Sequence, residues 1–173
     1  DVHLGAEVTP EMVEREAADA VIVATGGVAA QGSFPGSDKA NVVLARDVLS
    51  GKAEVGKKVI VYSLDRSTEG FTTADFLLES GHEAELLIPH PMAPLAAEQI
   101  TFVFIMTRIA RKGGKITMGL EAKSFDGSTL VLGGVFGSGV EAREGIDTLV
   151  VSRGSKANDS LYKALKGHVK ELY

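Results

Sequence analysis

Residues 63–70 lie where the loop of a phosphate-binding site would be expected. They read Ser-Leu-Asp-Arg-Ser-Thr-Glu-Gly and follow an apolar, β-branched run at residues 59–62 that predicts a buried parallel strand. In a dinucleotide-binding unit this loop reads Gly-x-Gly-x-x-Gly, because glycine lets backbone N–H groups and the next helix approach a pyrophosphate. Counted back from Gly81, Gly70 takes the place of the third glycine. It therefore predicts close packing of the helix on the strand.

The rest of the loop departs from that pattern. The first two glycines are absent, and the loop is about two residues longer than usual. Asp65 and Glu69 place negative charge where a diphosphate would lie. The next strand runs into Pro89 and His90, without the acidic residue that would hold a ribose hydroxyl. The sequence thus predicts the architecture of a dinucleotide-binding unit without its phosphate chemistry.

Two interpretations of this loop stay open. In one, Ser63, Leu64, Asp65, Arg66 and Gly70 contribute to a modified nucleotide site, in which Arg66 offsets Asp65 and leaves serine and backbone donors at the helix start. In the other, an Asp and a Ser cap the following helix while Arg66 faces water. We favour capping.

A second candidate turn is formed by Thr25, Gly26 and Gly27, after an apolar run at residues 20–24 that predicts a buried strand. It either passes close to a nucleotide or is a strand end that needs glycine to turn. Ser152-Arg153-Gly154 ends a later strand in the equivalent place. Arg153 either meets a phosphate there or is solvated, and we favour solvation.

The remaining polar residues predict no catalytic centre and no metal site. Neither His82 nor His90 lies at metal-ligand spacing from another histidine. Arg108, Arg111 and Lys112 stand near the end of a predicted helix, where cations suit the helix dipole, and we prefer this role to a phosphate patch. No Ser/His/Asp or paired-carboxylate set can be placed from spacing.

The elements that position these residues form an α/β pattern. A strand at 59–62, a helix ended by Gly81 and a strand at 83–88 make a strand–helix–strand unit. The other predicted elements are a helical turn at 11–16, strands at 20–24 and 41–44, a turn of helix at 46–49, a proline-broken loop at 89–94, a helix at 97–112, one half-buried strand at 115–123, strands at 130–132 and 135–144 that complete a meander with it, a strand at 146–151, a helix at 158–165 and a strand at 169–173. We predict a Rossmann-like, three-layer NAD(P)-binding-type domain with a parallel sheet and an antiparallel three-strand meander.

The composition of the chain argues against several classes of function. The chain has 173 residues, enough for a proper core, and 45% of them are apolar. A net charge of −5 and the lack of a basic stripe argue against nucleic-acid binding. No apolar run reaches the roughly 18 residues of a membrane span, and no cysteine is present for disulfide or iron–sulfur chemistry. We expect a cytoplasmic protein without a membrane partner.

Several segments occur in an order that matches one family. They are VIVATGG (21–27), Pro35-Gly36, ARDVLSGK (45–52), the strand–helix–strand unit, the meander and DTLVVSRGSKAND (147–159). This order resembles the C-terminal FAD/NAD(P)-binding-like region of old-yellow-enzyme-type iron–sulfur flavoenzymes, the NADH:flavin oxidoreductase family. The long polar loop with Asp65 is similar to the branch of trimethylamine dehydrogenase, histamine dehydrogenase and N-demethylases. In the 2,4-dienoyl-CoA reductase branch that loop is rich in glycine.

The resemblance implies a fragment of a larger oxidoreductase. In the whole enzyme a barrel would carry FMN and a [4Fe–4S] cluster, an amine would be oxidised at FMN, and electron-transferring flavoprotein would accept electrons. ADP or FAD, when retained, would bind the FAD-like domain. We expect no cofactor on this fragment, whose partners would be the remaining domains of the same polypeptide. The alternatives are a functional NAD(P)H-binding domain, as in 2,4-dienoyl-CoA reductase, and a protein-interaction module.

The resemblance also implies three segments. Residues 1–50 would be part of the FAD-like domain with a connecting loop. Residues 51–157 would be the NAD(P)-like Rossmann domain, and residues 158–173 would return to the FAD-like domain.

Overall fold

The structure, a computed structural model, describes residues 1–65, 67–90, 99–137 and 139–173. The chain divides into two compact units, one of residues 1–28 and 155–173 and one of residues 29–154. In chain order the elements are α1 (Pro10–Glu16), β1 (Gly27–Ala29), β2 (Val42–Leu44), α2 (Ala45–Leu49), β3 (Lys58–Ser63), α3 (Glu69–Glu79), β4 (Glu83–Ile88), α4 (Gln99–Arg111), β5 (Lys115–Met118), β6 (Leu120–Phe125), β7 (Leu130–Gly134), β8 (Val140–Arg143), β9 (Thr148–Ser152), β10 (Ser155–Ala157) and α5 (Ser160–Leu165).

The larger unit is built on a five-stranded parallel sheet in the order β2-β9-β3-β4-β5. β3 is buried from its second residue onward, as expected for an apolar strand covered on both faces. α3 connects β3 to β4, and β4 has the predicted bounds. The predicted strand–helix–strand unit is therefore confirmed.

α3 ends where the sequence predicts. Gly81 has a φ of 87°, the left-handed conformation that glycine adopts without strain. Its N–H donates to the carbonyl of Leu78, and the N–H of His82 donates to that of Leu77. These bonds satisfy the last carbonyl groups of the helix, as in the usual glycine-terminated helix end.

Helices and a second sheet cover opposite faces of the parallel sheet. Val59 and Val61 of β3 point into a core shared with α2, α3 and α4, whereas Ile60 and Tyr62 point into a core shared with the antiparallel sheet β6-β7-β8. This alternation is the ordinary period of a strand. The buried hydroxyl of Tyr62 accepts a hydrogen bond from the N–H of Ala122 at 3.0 Å. The larger unit is thus three-layered α/β with a three-strand meander, which confirms the predicted fold class.

The prediction of one strand at residues 115–123 is wrong. The chain turns at Gly119, whose φ is 79°. β5 before it pairs in parallel with β4, and β6 after it pairs antiparallel with β7. Apolar residues alternate on both sides of Gly119, so the pattern does not show that the chain changes sheets.

The smaller unit contains α1 and α5. Thr9 caps α1, since its hydroxyl accepts from the N–H of Met12 at 3.4 Å. The buried strand predicted at residues 20–24 is not observed: Val21 forms a single parallel bridge with Leu172, and Ile22 is 78% exposed. The strand predicted at 169–173 reduces to the same bridge. Burial of an apolar strand needs neighbours on its edges and faces, and among the described residues the backbone bonds of 21–23 run to 171–173.

Residue 50, the predicted end of the first segment, lies in the larger unit, where β2 pairs with β9. The division into FAD-like and NAD(P)-like segments stays a prediction. Arg66, most of the predicted loop at 89–94 and the first two residues of the helix predicted at 97–112 lie outside the described residues. In the part of the chain that is described, no helix is both long and apolar enough to span a membrane.

Candidate functional site at the ends of β3 and β9

The order of the strands marks one end of the parallel sheet as a candidate site. β3 lies between β4, which follows it in the chain, and β9, which comes much later. The direction in which strands are added changes at this point, and ligands of open α/β sheets bind in the crevice beyond the carboxyl ends of such strands. Ser63 of β3 and Ser152 of β9 are paired at these ends, and both are 1% exposed.

Gly70 brings α3 close to the end of β3. A Cβ atom on Gly70 would lie 2.5 Å from both Cβ and Oγ of Ser63. Carbon atoms that are not bonded pack at about 3.5–4.0 Å, so a side chain is excluded here. The close packing that the sequence predicts for Gly70 is observed.

The carboxylate of Asp65 lies in the crevice. Its Oδ2 accepts a hydrogen bond from Ser67 Oγ at 2.6 Å. Its Oδ1 is 3.3 Å from Ser152 Oγ and 3.5 Å from Ser63 Oγ. Oδ2 is also 3.6 Å from the position of a Cβ atom on Gly154. Asp65 therefore connects the ends of β3 and β9.

Glu69 forms the other side of the same network. Its Oε2 accepts from Ser152 Oγ at 2.9 Å, so Ser152 lies between two carboxylates. The Nε atom of Arg46, on α2, is 3.6 Å from Oε1 of Glu69. The N–H of Glu69 donates to Ser67 Oγ at 3.1 Å. Two carboxylates and three serine hydroxyls thus fill the space beside the start of α3.

The loop residues have roles that differ from simple capping. Ser67 accepts from a backbone N–H at the helix start, as a capping serine does, but Asp65 receives its bonds in the described residues from hydroxyl groups. Leu64 donates its N–H to the carbonyl of Ser152 at 2.7 Å and packs on the core beside the meander. Arg66 lies outside the described residues. Neither the role of Ser67 nor the contact of Asp65 with Ser152, 87 residues away, could be recognised in the sequence.

The turn at Thr25, Gly26 and Gly27 belongs to the smaller unit. The hydroxyl of Thr25 donates to the carbonyl of Asn158, and the carbonyl of Gly26 accepts from the N–H of Asn158. A Cβ atom on Gly27 would lie 2.8 Å from the carbonyl oxygen of Lys156. Glycine is therefore needed here for close approach of two backbone segments, and a role in nucleotide binding stays a prediction.

The cations near the end of α4 have structural partners. Arg108 and Lys112 both bind the carboxylate of Asp75 on α3, with Lys112 Nζ 2.9 Å from Oδ1. Asp75 is only 7% exposed. Although burial alone would raise its pKa, hydrogen bonds from Lys112 and Arg108 hold that pKa below the usual value. These two cations therefore hold α3 and α4 together.

Other polar candidates are also accounted for. Arg153 donates from Nη1 to the carbonyl of Gln31 at 2.9 Å, and Nδ1 of His82 is 2.7 Å from the carbonyl oxygen of Gly56. The described residues contain no group of three histidine or acidic side chains that could hold a metal ion.

Comparison with known proteins identifies relatives that are much longer than this chain. No protein-family model matches. The chain is 28% identical over 169 residues to a probable N-methylproline demethylase of Rhizobium meliloti (strain 1021), covering 95% of this chain and 24% of that protein. It is 26% identical over 176 residues to the N,N-dimethylglycine/sarcosine dehydrogenase of Chromohalobacter salexigens, covering 96% of this chain and 25% of that protein. The chain thus spans about a quarter of these relatives.

Two solved structures share the fold of this chain. The 6-hydroxypseudooxynicotine amine oxidase from Pseudomonas geniculata N1 matches with a TM-score of 0.86 and 23% identity, over 99% of this chain and 28% of that chain. A 2-naphthoyl-CoA reductase matches with a TM-score of 0.84 and 23% identity, over 98% of this chain and 25% of that chain. With the curated relatives, these matches confirm the predicted resemblance.

Proposed function

We propose that this chain is the nucleotide-binding-type part of a larger flavin-dependent amine dehydrogenase or demethylase. In this proposal the larger unit acts as a scaffold, or as a docking surface for the electron acceptor, and does not bind NAD(P)H. The observation that carries the proposal is the Asp65 carboxylate between the ends of β3 and β9. The names of the two curated relatives, a demethylase and a dehydrogenase of N-methylated amino acids, support the amine-oxidising class.

A comparison of magnitudes explains why a diphosphate would not fit. Two like unit charges 4 Å apart repel by about 4 kcal/mol at the effective dielectric constant of a protein surface. The start of a helix favours an anion by only about 0.3–1 kcal/mol, or up to about 2 kcal/mol when partly buried. A phosphate in the crevice would meet both Asp65 and Glu69, and among the described residues the ion pair found at these carboxylates is that of Arg46 with Glu69. Repulsion therefore outweighs the attraction of the helix.

The cofactors of the whole enzyme belong to the same proposal. FMN and a [4Fe–4S] cluster would be carried by a barrel outside this chain, and ADP or FAD by the FAD-like domain. The smaller unit would be part of that FAD-like domain, and the larger unit would be the NAD(P)-like domain. The partners would be the remaining domains of the polypeptide and electron-transferring flavoprotein, in the cytoplasm.

One observation favours a second candidate function. Gly70 retains the close approach of helix and strand that a working dinucleotide site requires. A functional NAD(P)H-binding domain, as in 2,4-dienoyl-CoA reductase, would then have to bind a pyrophosphate despite Asp65 and Glu69.

Calorimetric titration separates these candidates. We expect no heat of binding when NADH, NADPH or ADP is added to the chain at up to millimolar concentration. Micromolar binding of NADH would overturn the proposal and favour the reductase. Asp65→Gly is the matched variant, since the reductase alternative predicts stronger NADH binding when this charge is removed. Binding of purified electron-transferring flavoprotein from the same source would distinguish a docking surface from an inert scaffold.

A further inference from the structure

We infer that the ends of β3 and β9 form a carboxylate-binding site that the chain fills with its own Asp65, and that acetate can occupy it when this side chain is removed. The inference rests on the proposed function, because it assumes that the crevice is closed to a dinucleotide. It goes further by assigning the crevice a ligand class of its own, a small monoanion.

The donors of the site are arranged around one carboxylate. Ser63, Ser67 and Ser152 come from the end of β3, the loop and the end of β9, and the hydroxyl of each lies within 3.5 Å of an Asp65 oxygen. Ser63 and Ser152 are 1% exposed, so their positions are fixed by the surrounding sheet. Hydroxyl donors bind an ionised acceptor about twice as strongly as a neutral one.

Asp65 and Glu69 play different parts in this network. Glu69 has Arg46 at 3.6 Å and a side chain that is 23% exposed, which places it at the rim. Asp65 has no ion pair within the described residues, and its contacts there are hydroxyl groups. Removing Asp65 leaves the hydroxyls of Ser63 and Ser67 without this acceptor, whereas Ser152 can still donate to Glu69. The space released is therefore complementary to a carboxylate.

The side chain that Asp65→Gly removes has nearly the same shape as acetate. Asp65→Gly removes a methylene and a carboxylate, and acetate supplies a methyl carbon and a carboxylate of the same charge. Acetate can therefore restore the three hydroxyl contacts without adding charge beside Glu69. Inorganic phosphate is larger and carries more charge, so we expect it to bind only when Glu69→Gln is added to Asp65→Gly.

Thermal unfolding tests the inference directly. We expect Asp65→Gly to lower the melting temperature by about 3–10 °C, from the cost of leaving the buried hydroxyl of Ser63 unpaired and the scaling for a chain of this size. Sodium acetate should restore part of this loss with a saturable dependence, relative to sodium chloride at the same ionic strength. The wild type should show no such difference.

Asp126→Gly is the matched control. The Asp126 carboxylate accepts hydrogen bonds from the N–H groups of Ser128 and Thr129 at 2.8 and 2.7 Å, but Asp126 is exposed to solvent. This variant should also lose stability, with acetate and chloride acting alike because no enclosed space is left. If Asp65→Gly does not fold, Asp65→Ala with formate replaces it, since the alanine methyl fills the position of the methylene.

The outcomes are separable from those of the proposed function. The inference would be overturned if acetate or formate stabilised the Asp65 variants no better than chloride does. It would also be overturned if these anions stabilised the wild type and Asp126→Gly equally well. Neither result would bear on the expected absence of NADH binding. Micromolar NADH binding to the wild type would overturn the proposed function itself.

Discussion

Replacing Gly70 by alanine should destabilise the larger unit, although alanine normally stabilises a helix. Gly70 is the second residue of α3, and its Cβ position lies 2.5 Å from both Cβ and Oγ of Ser63. The backbone of Ser63 is also close, since its Cα is 3.5 Å from the same point. Rotation of the Ser63 side chain moves Oγ but leaves Cβ in place, so it cannot relieve the overlap, and α3 must move away from β3.

The expected change in the free energy of unfolding on Gly70→Ala follows from two opposing effects. Alanine in place of glycine favours a helix interior by at most about 1 kcal/mol. Overpacking of a well-packed site costs about 1–3 kcal/mol, and an overlap of this severity belongs at the upper end. We expect Gly70→Ala to lower the free energy of unfolding by about 2 kcal/mol, or the melting temperature by about 4–8 °C for a chain of this length.

A double-mutant cycle with Ser63→Gly tests the reasoning. Ser63→Gly removes the two atoms that the new methyl group at position 70 would contact most closely. In that background Gly70→Ala should be neutral or stabilising, which gives a coupling energy of about 2 kcal/mol by chemical denaturation. Equal destabilisation in both backgrounds would show that the Gly70–Ser63 contact is not the cause. Stabilisation of the wild type by Gly70→Ala would refute the geometry itself.

Two further predictions concern buried polar groups. Asp75→Asn should lower the free energy of unfolding by about 1–3 kcal/mol, because Arg108 and Lys112 lose a charged acceptor at the interface of α3 and α4. Because the pKa of Asp75 is lowered in the folded protein, its ionised carboxylate stabilises the fold fully above the ordinary Asp pKa. This stabilisation is lost as the pH falls through the lowered pKa. In denaturation experiments at several pH values, acidification below about pH 4 should therefore destabilise the wild type more than Asp75→Asn. Tyr62→Phe should lower the free energy of unfolding by about 1–3 kcal/mol, because the N–H of Ala122 loses its acceptor inside the protein. A change within about 0.5 kcal/mol, as for an ordinary surface substitution, would contradict that bond.

Local sequence signals were sufficient for the central part of the fold. The apolar run that becomes β3, the helical spacing before Gly81 and the apolar run of β4 each have a direct physical cause in strand burial or helix termination. Gly70 could be placed because its spacing from Gly81 marks the same position as in a dinucleotide-binding unit. These features depend on neighbours in the chain, which a sequence displays.

Features that depend on distant partners were missed or misassigned. Residues 20–24 have the composition of a buried strand, but burial requires neighbours that their own sequence cannot specify, and Ile22 is 78% exposed. The change of sheets at Gly119 is hidden because apolar residues alternate on both sides of it. The contact of Asp65 with Ser152 joins residues 87 positions apart. The loop after β3 therefore predicts the two carboxylates of the crevice, whereas their hydrogen bonds with Ser152 become visible only in the folded chain.

The most direct test of a closed crevice is to follow individual backbone amides while NADH is added. In two-dimensional ¹H–¹⁵N spectra of the wild-type chain, we predict that the amide signals of Ser63, Asp65, Gly70 and Ser152 do not shift in millimolar NADH. Saturable shifts of these signals at micromolar NADH would show that a dinucleotide lies across the ends of β3 and β9, and would contradict the account.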